Sequence, residues 1–170
     1  MATGGASEGL QGLLPKADRP TRGVASACTS VAFRAHPHEE LVDVLKDVVT
    51  QHGLRAAFVQ TCVGSIEKAC LRLASANREN GEDFSDFLEL DERCEICSLV
   101  GTLAVDEAGN FAKHLHVTLA DKAGRVVGGH VMSLQLFTTA EVVLGELTQA
   151  VFDRPLDPET GYDELTVEPR

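Results

Sequence analysis

The sequence lacks an apolar run close to the roughly 18 residues that a membrane-spanning helix needs. Residues 1–20 also lack the charged start and the apolar core of a secretory signal peptide. The five cysteines are scattered through predicted strands, and an odd number in such positions is not typical of a disulfide framework. From these absences we expect an intracellular protein without membrane association, in the cytoplasm or, as the second choice, in the nucleus.

A cluster of basic residues is missing as well. Lys and Arg number 15 against 26 Asp and Glu, which gives a formal net charge of −11. Clustered cations that neutralise phosphates supply much of the affinity of proteins for nucleic acids. We therefore expect no direct binding to DNA.

One cysteine pair, Cys94 and Cys97, has the CxxC spacing of metal and redox sites. The second pair that a four-cysteine zinc site would need is absent from the sequence. Residues three apart in a strand point to opposite faces. We interpret the pair as a small buried hydrophobe and its neighbour, not as a metal or redox site.

Apolar residues at helical spacing predict a helix over residues 37–52, with Pro37 at its first position. A Thr-Thr-Ala-Glu start followed by apolar residues predicts a second helix over 139–151. The short turns between the later strands indicate antiparallel pairing, and the element order indicates an α+β fold. Strands are predicted over residues 26–34, 55–63, 66–74, 94–104, 113–119 and 125–135, with a long polar loop over 75–91.

Residues 114–131 are predicted to form a β-hairpin. Residues 122–124 fit a three-residue loop with its glycine in the left-handed conformation, and such a loop sets the register of the two strands. In that register His116 pairs with His130, and directly opposed residues share a face. His114 lies two residues before His116 and shares the same face. Three imidazoles are thus expected to converge.

Three neutral imidazoles on one face suit Zn²⁺, with a fourth position open to water or substrate. A single histidine in a strand is more often only a packed side chain, and a register slip of one residue would turn His130 away. Because three share a face, we interpret His114, His116 and His130 as metal ligands. The other three histidines lie near the ends of the predicted first helix and are interpreted as capping residues.

With these residues, the chain resembles the PPC domain, the "plants and prokaryotes conserved" domain. The resemblance covers about residues 27–152, which leaves a disordered tail over 1–25 and an acidic C-terminal extension over 153–170. The matching motifs are His114-Leu115-His116, Gly128-Gly129-His130, Thr139-Ala140-Glu141-Val142, Arg34 with Pro37-His38-Glu39-Glu40-Leu41, Gly64-Ser65, Leu71-Arg72, and Glu95-Ile96-Cys97-Ser98-Leu99-Val100-Gly101.

The resemblance implies a mixed, mostly antiparallel β-sheet flanked by helices, assembled as a homotrimer, with the three histidines as a zinc site. Plant members of the family regulate transcription, bind DNA through an Arg-Gly-Arg-Pro hook, and recruit partners through a segment reading Gly-Arg-Phe-Glu-Ile-Leu. Arg93, Glu95 and Ile96 match that segment, so the resemblance implies that they bind a partner. The hook is absent from this sequence, and the plant DNA-binding role does not carry over.

Two classes of function remain open. The first is a trimeric, metal-binding module, with zinc as the expected ion, for oligomerisation and for binding a protein partner or a small ligand. The second is a zinc-dependent hydrolase or lyase acting on a small substrate. A catalytic zinc site needs an acid or a base nearby, and Glu141, Glu95 and Arg72 are the candidates.

Overall fold

The computed structural model of the chain describes residues 23–74, 78–79, 82–83 and 86–170. The described part of the chain contains one helix, α1 (Leu41–Gln51). The strands are β1 (Cys28–Ala35), β2 (Ala57–Arg72), β3 (Arg78–Glu79), β4 (Glu82–Asp83), β5 (Phe87–Leu90), β6 (Cys94–Val105), β7 (Phe111–Asp121), β8 (Val126–Leu147), β9 (Ala150–Asp153) and β10 (Thr166–Pro169).

Six strands form one sheet in the order β1-β8-β7-β6-β2-β5, and β8 also pairs with β2. Every pairing in this sheet is antiparallel. The first residues of β8 pair with β7, whereas its last residues pair with β1 on one side and β2 on the other. Because of these extra pairings the sheet closes on itself through β2, β8, β7 and β6.

Alternation along the strands separates the core from the outer surface. In β7, Leu115, Val117 and Leu119 are buried, whereas His114 and His116 are exposed. The largest fully buried side chains come from α1 and from the four strands that close the sheet: Leu41, Leu45, Val49, Ile66, Leu71, Leu103, Leu115, Leu119, Val131, Leu134, Leu136 and Leu144.

The helix begins later than the sequence predicts. Pro37 was expected at its first position, but the N-cap is Glu40, whose carboxylate accepts hydrogen bonds from the backbone N–H groups of Val42 and Leu134 at 3.2 and 2.8 Å. His38 has a φ of 67°, which no right-handed helix accommodates. The predicted apolar stripe is confirmed, since three of its members are fully buried.

The second predicted helix, over 139–151, is wrong, and so is the expectation of an α+β fold with a mixed sheet flanked by helices. Residues 139–147 belong to β8, residues 148–149 form a turn, and residues 150–151 begin β9. Along β8, Ala140, Val142 and Leu144 are buried and Glu141 is exposed, which is the period of a strand. These residues form a strand despite a weak local preference for helix, because β1 and β2 pair with them on both edges. The described chain is mostly antiparallel β-structure with one helix.

The two strands predicted over 55–63 and 66–74 form one strand of 16 residues, β2. Gly64 was expected to break it, but this glycine serves a close approach of two backbones. A Cβ added at Gly64 would lie 2.1 Å from the carbonyl oxygen of Thr139 in β8. The register between β2 and β8 shifts at several points, which bends the long strands.

The predicted C-terminal extension over 153–170 contains β10, which pairs with β9. The loop predicted over 75–91 contains β5, which pairs with the end of β2. The same loop contains β3 and β4, which pair with each other. Residues 75–77, 80–81 and 84–85 of the loop, and residues 1–22 of the predicted tail over 1–25, lie outside the described residues. The described helix is too short to cross a membrane.

Candidate metal centre

The turn between β7 and β8 positions the histidines. Gly124 has a φ of 75°, and the backbone N–H of Asp121 donates to the carbonyl of Arg125 at 2.9 Å. A carboxylate oxygen of Asp121 also accepts from the backbone N–H of Arg125, at 2.9 Å. The predicted loop and its register are confirmed, since His116 pairs with His130.

The three imidazoles converge on one face of the hairpin, as predicted. The Nε2 atoms of His114 and His116 are 3.0 Å apart. The ring centroids of the three histidines are separated by 5.1, 5.2 and 5.5 Å. One ligand nitrogen from each ring, that of His130 included, lies within 4.8 Å of the other two. This spacing allows one metal ion to contact all three rings.

Two glycines let the neighbouring backbones lie close to the histidine strand β7. A Cβ added at Gly128 in β8 would lie 2.6 Å from the carbonyl oxygen of Val117. Gly101 in β6 has a φ of 141°, and an added Cβ would lie 1.9 Å from the carbonyl oxygen of His114. A side chain at either position would push its strand away from β7 and move the histidines.

Burial and nearby cations keep two of the histidines neutral. Burial first, and then the charges of Arg72 and Lys113, lower the pKa of His130 to about 4. The ring of His114 is partly shielded from water although the residue as a whole is exposed, and this shielding, followed by the charge of Arg154, also lowers the pKa of His114. At neutral pH these two rings therefore carry free lone pairs, which is the form that binds a metal ion.

The donor set fits zinc. Two imidazole nitrogens that each lie about 2.0–2.1 Å from a tetrahedral zinc ion are about 3.3 Å apart. The corresponding distance between His114 and His116 is 3.0 Å. The buried Nδ1 of His130 has no hydrogen-bond partner among the described residues, although a buried polar atom normally has one. A bound metal ion would satisfy it.

The C-terminal segment forms one wall of the site. Arg154, just after β9, donates from Nη2 to the hydroxyl of Thr102 in β6 at 2.7 Å. No local motif marks this wall in the sequence, because the wall reaches the histidines through contacts of β9 and Arg154 with the distant strand β6. A cavity of about 320 Å³ lies there, lined by Val100, Gly101, Thr102, His114, His116, Arg154, Glu164 and Leu165.

The predicted acid and base candidates are divided between the site and other surfaces. Arg72 pairs with His130 across β2 and β8 and lies beside the site. Glu141 lines a separate cavity with Phe33, and Glu95 lies near the start of β6, away from the residues that line the histidine cavity. Neither carboxylate is brought to the three histidines.

The predicted partner-binding residues lie at the start of β6 and just before it. The guanidinium of Arg93 stacks 3.7 Å from the ring centroid of Phe137, and Glu95 is exposed. Ile96 is buried in the core. Within one chain, Arg93 and Glu95 are therefore the two members that a partner can reach, and their role in partner binding stays a prediction.

A closed antiparallel sheet with a histidine-bearing hairpin and one capping helix defines the structural class of this domain. The chain belongs to the family of the Plants and Prokaryotes Conserved (PCC) domain, whose sequence model matches residues 22–148. This is the family that the motifs of the sequence indicated, so that prediction is confirmed.

Several solved structures share this fold. A hypothetical protein from Salmonella cholerae-suis is 34% identical, with 88% of this chain and 99% of that chain covered and a TM-score of 0.76. The metal-containing protein AF0104 from Archaeoglobus fulgidus is 25% identical, with 86% and 99% covered and a TM-score of 0.73. A PPC protein from Pyrococcus horikoshii is 23% identical, with 86% and 99% covered and a TM-score of 0.71.

Curated relatives are much longer proteins. The bifunctional protein GlmU from a strain of Synechococcus is 39% identical over 138 residues, which is 81% of this chain and 20% of that protein. The same protein from a second Synechococcus strain matches equally well. The chain thus spans about a fifth of the length of these relatives.

Proposed function

We propose that this chain is a metal-binding PCC module that holds a zinc ion on His114, His116 and His130. The convergence of three ligand nitrogens within 4.8 Å of one another carries the proposal. The fold is shared with a protein described as metal-containing, AF0104 from Archaeoglobus fulgidus. Zinc is the ion named because three histidines with a fourth position open to water are a ligand set that binds zinc in other proteins.

We also propose that the module is a homotrimer and that the assembly binds a protein partner or a small ligand. Val63, Val100 and Val126 are exposed by 61%, 54% and 61% in the single chain. Burial of such side chains against another copy would remove apolar surface from water. Light scattering should give three times the chain mass of 18.2 kDa, and a monomer mass at micromolar concentration would contradict the trimer.

The metal site is tested by elemental analysis of protein purified without chelators. We expect one zinc per chain, and we expect His116→Ala to lose most of it while the fold stays intact by circular dichroism. His52→Ala is the matched control, because His52 is exposed at the end of α1 and should keep the metal. Unchanged zinc in the His116→Ala protein would reject the site.

A zinc-dependent hydrolase or lyase is the second candidate function. The observation that favours it is Glu164, a carboxylate that lines the same cavity as His114 and His116 and that can accept a proton. When bound, zinc would lower the pKa of a coordinated water. Hydrolysis of an activated ester should then be faster with the wild type than with Glu164→Gln or His116→Ala, and equal rates would reject this candidate.

A further inference from the structure

We propose that the histidine site takes a small oxyanion, a molecule with a carboxylate or a phosphate group, and that Arg154 binds this group. The inference rests on the proposed metal site and names the chemical class of its ligand. Arg154 lies on the wall of the cavity that His114 and His116 line, so one ligand can reach both the metal ion and the guanidinium.

With the proposed metal ion bound, the charge around the histidines would favour an anion, although the whole chain carries a net charge of −11. The cations that act on His114 and His130 are Arg72, Lys113 and Arg154.

Three carboxylates oppose these cations. Glu164 acts on His114 and Arg154, Asp163 acts on Arg154, and Glu40 acts on Lys113. These charges balance in number, so a bound divalent metal ion would give the site a net positive charge. An anionic ligand is the species that best compensates such a site.

Arg154 is held in place for this role. Its Nη2 donates to the hydroxyl of Thr102 at 2.7 Å, and its Nη1 donates to the backbone carbonyl of Asp163 at 3.3 Å. Its buried Nε has no hydrogen-bond partner among the described residues. A guanidinium has five N–H donors in a planar fork that matches carboxylate and phosphate oxygens. The protein contacts orient this fork and leave donors for a ligand.

The anion-binding wall lies outside the residues that the family model matches. Arg154, Glu164 and Leu165 all lie beyond residues 22–148, which the family model matches. The three histidines lie within the matched residues. Ligand selection would thus come from the C-terminal segment of this chain, and the metal site from the shared hairpin.

The test uses the full chain loaded with Co²⁺, whose visible absorption reports on the metal site. Acetate and inorganic phosphate are titrated separately, which distinguishes a carboxylate ligand from a phosphate ligand. We expect at least one anion to shift the spectrum of the wild type. Arg154→Gln should weaken the binding of that anion by about 10- to 100-fold, which corresponds to the loss of one hydrogen bond to a charged group. Lys122→Gln, which removes the same charge on the exposed hairpin turn, should change nothing.

Two further variants guard against a trivial loss of structure. Arg154→Lys keeps the charge without the fork and should recover part of the affinity. Thr102→Val keeps Arg154 but removes the hydroxyl that orients it. This variant should weaken anion binding less than Arg154→Gln does.

Equal anion affinity in Arg154→Gln and Lys122→Gln would overturn this inference and leave the metal site standing. The same holds if neither anion shifts the wild-type spectrum up to about 100 mM, a concentration that detects even weak binding. If the wild type binds no Co²⁺, both the metal site and the anion site fall. His116→Ala serves as the reference for that loss.

Discussion

The two faces of the β7–β8 hairpin carry different kinds of side chain, although both faces belong to the same two strands. On the inner face, Leu115 and Val117 are buried in the core. On the outer face, His114 and His116 are exposed and converge with His130. Because side chains alternate along a strand, the buried core and the proposed metal site are separated by single residues. Substitutions on the two faces should therefore have different effects.

The largest expected effect on stability is on the inner face. Leu115→Ala removes a fully buried side chain and should lower the free energy of unfolding by about 2–5 kcal/mol. The folded fraction should still bind one metal ion per chain. Urea denaturation of the metal-free protein and elemental analysis measure the two effects.

His114→Ala is the matched change on the outer face. It should cost the metal-free protein less than about 1 kcal/mol, as expected of a substitution at an exposed position, while it removes metal binding. If both variants lost metal and stability equally, the separation of the two faces would be wrong.

The next largest expected effect on stability is at the turn that joins β7 to β8. Gly124 has a φ of 75°, where an L-residue costs about 1–2 kcal/mol. Gly124→Ala should lower the free energy of unfolding by that amount and weaken metal binding, because the turn sets the pairing of His116 with His130. Gly124→Asn is the control and should cost less, since Asn tolerates this conformation. Equal costs for Ala and Asn would argue against a strained turn.

The cysteines extend the comparison of buried and exposed positions, with a smaller expected effect on thiol reactivity. Cys28 and Cys97 are exposed, whereas Cys62 and Cys94 are buried. Burial raises the pKa of the Cys62 thiol from 9.0 to about 11, so its reactive thiolate is rare at about pH 8 and increases only as the pH rises toward 11. Iodoacetamide should label Cys28 and Cys97 in the native protein, and Cys62 only after denaturation. Mass spectrometry of the labelled peptides would show the opposite order if this burial were wrong.

The smallest expected effect is on DNA. The cations near the histidines are local, and the net charge of −11 repels the phosphate backbone. Fluorescence anisotropy with an AT-rich duplex at low salt should show no saturable binding up to about 10 µM protein, where non-specific binders with clustered cations already bind. Saturable binding that weakens steeply with added salt would contradict this expectation.

Long-range partners account for the errors of the sequence-based prediction. Residues 139–151 carry a helix-like start, but β1 and β2 pair with them from both sides. Gly64 carries the pattern of a strand break, yet its function is to admit the carbonyl of Thr139 from a strand far along the chain. Neither partner is visible in the local pattern, and pairing outweighs local preference in a sheet.

The amino-acid sequence by itself determined the hairpin and its three histidines. A three-residue loop sets the register within a few residues, and the strand period then places His114, His116 and His130 on one face. Only the tertiary structure decided that Arg154 and Glu164 line the cavity beside them, because contacts of β9 and Arg154 with β6 hold that segment next to the histidines. Register and period are short-range properties of the chain, whereas the composition of a cavity depends on which distant segments fold against it.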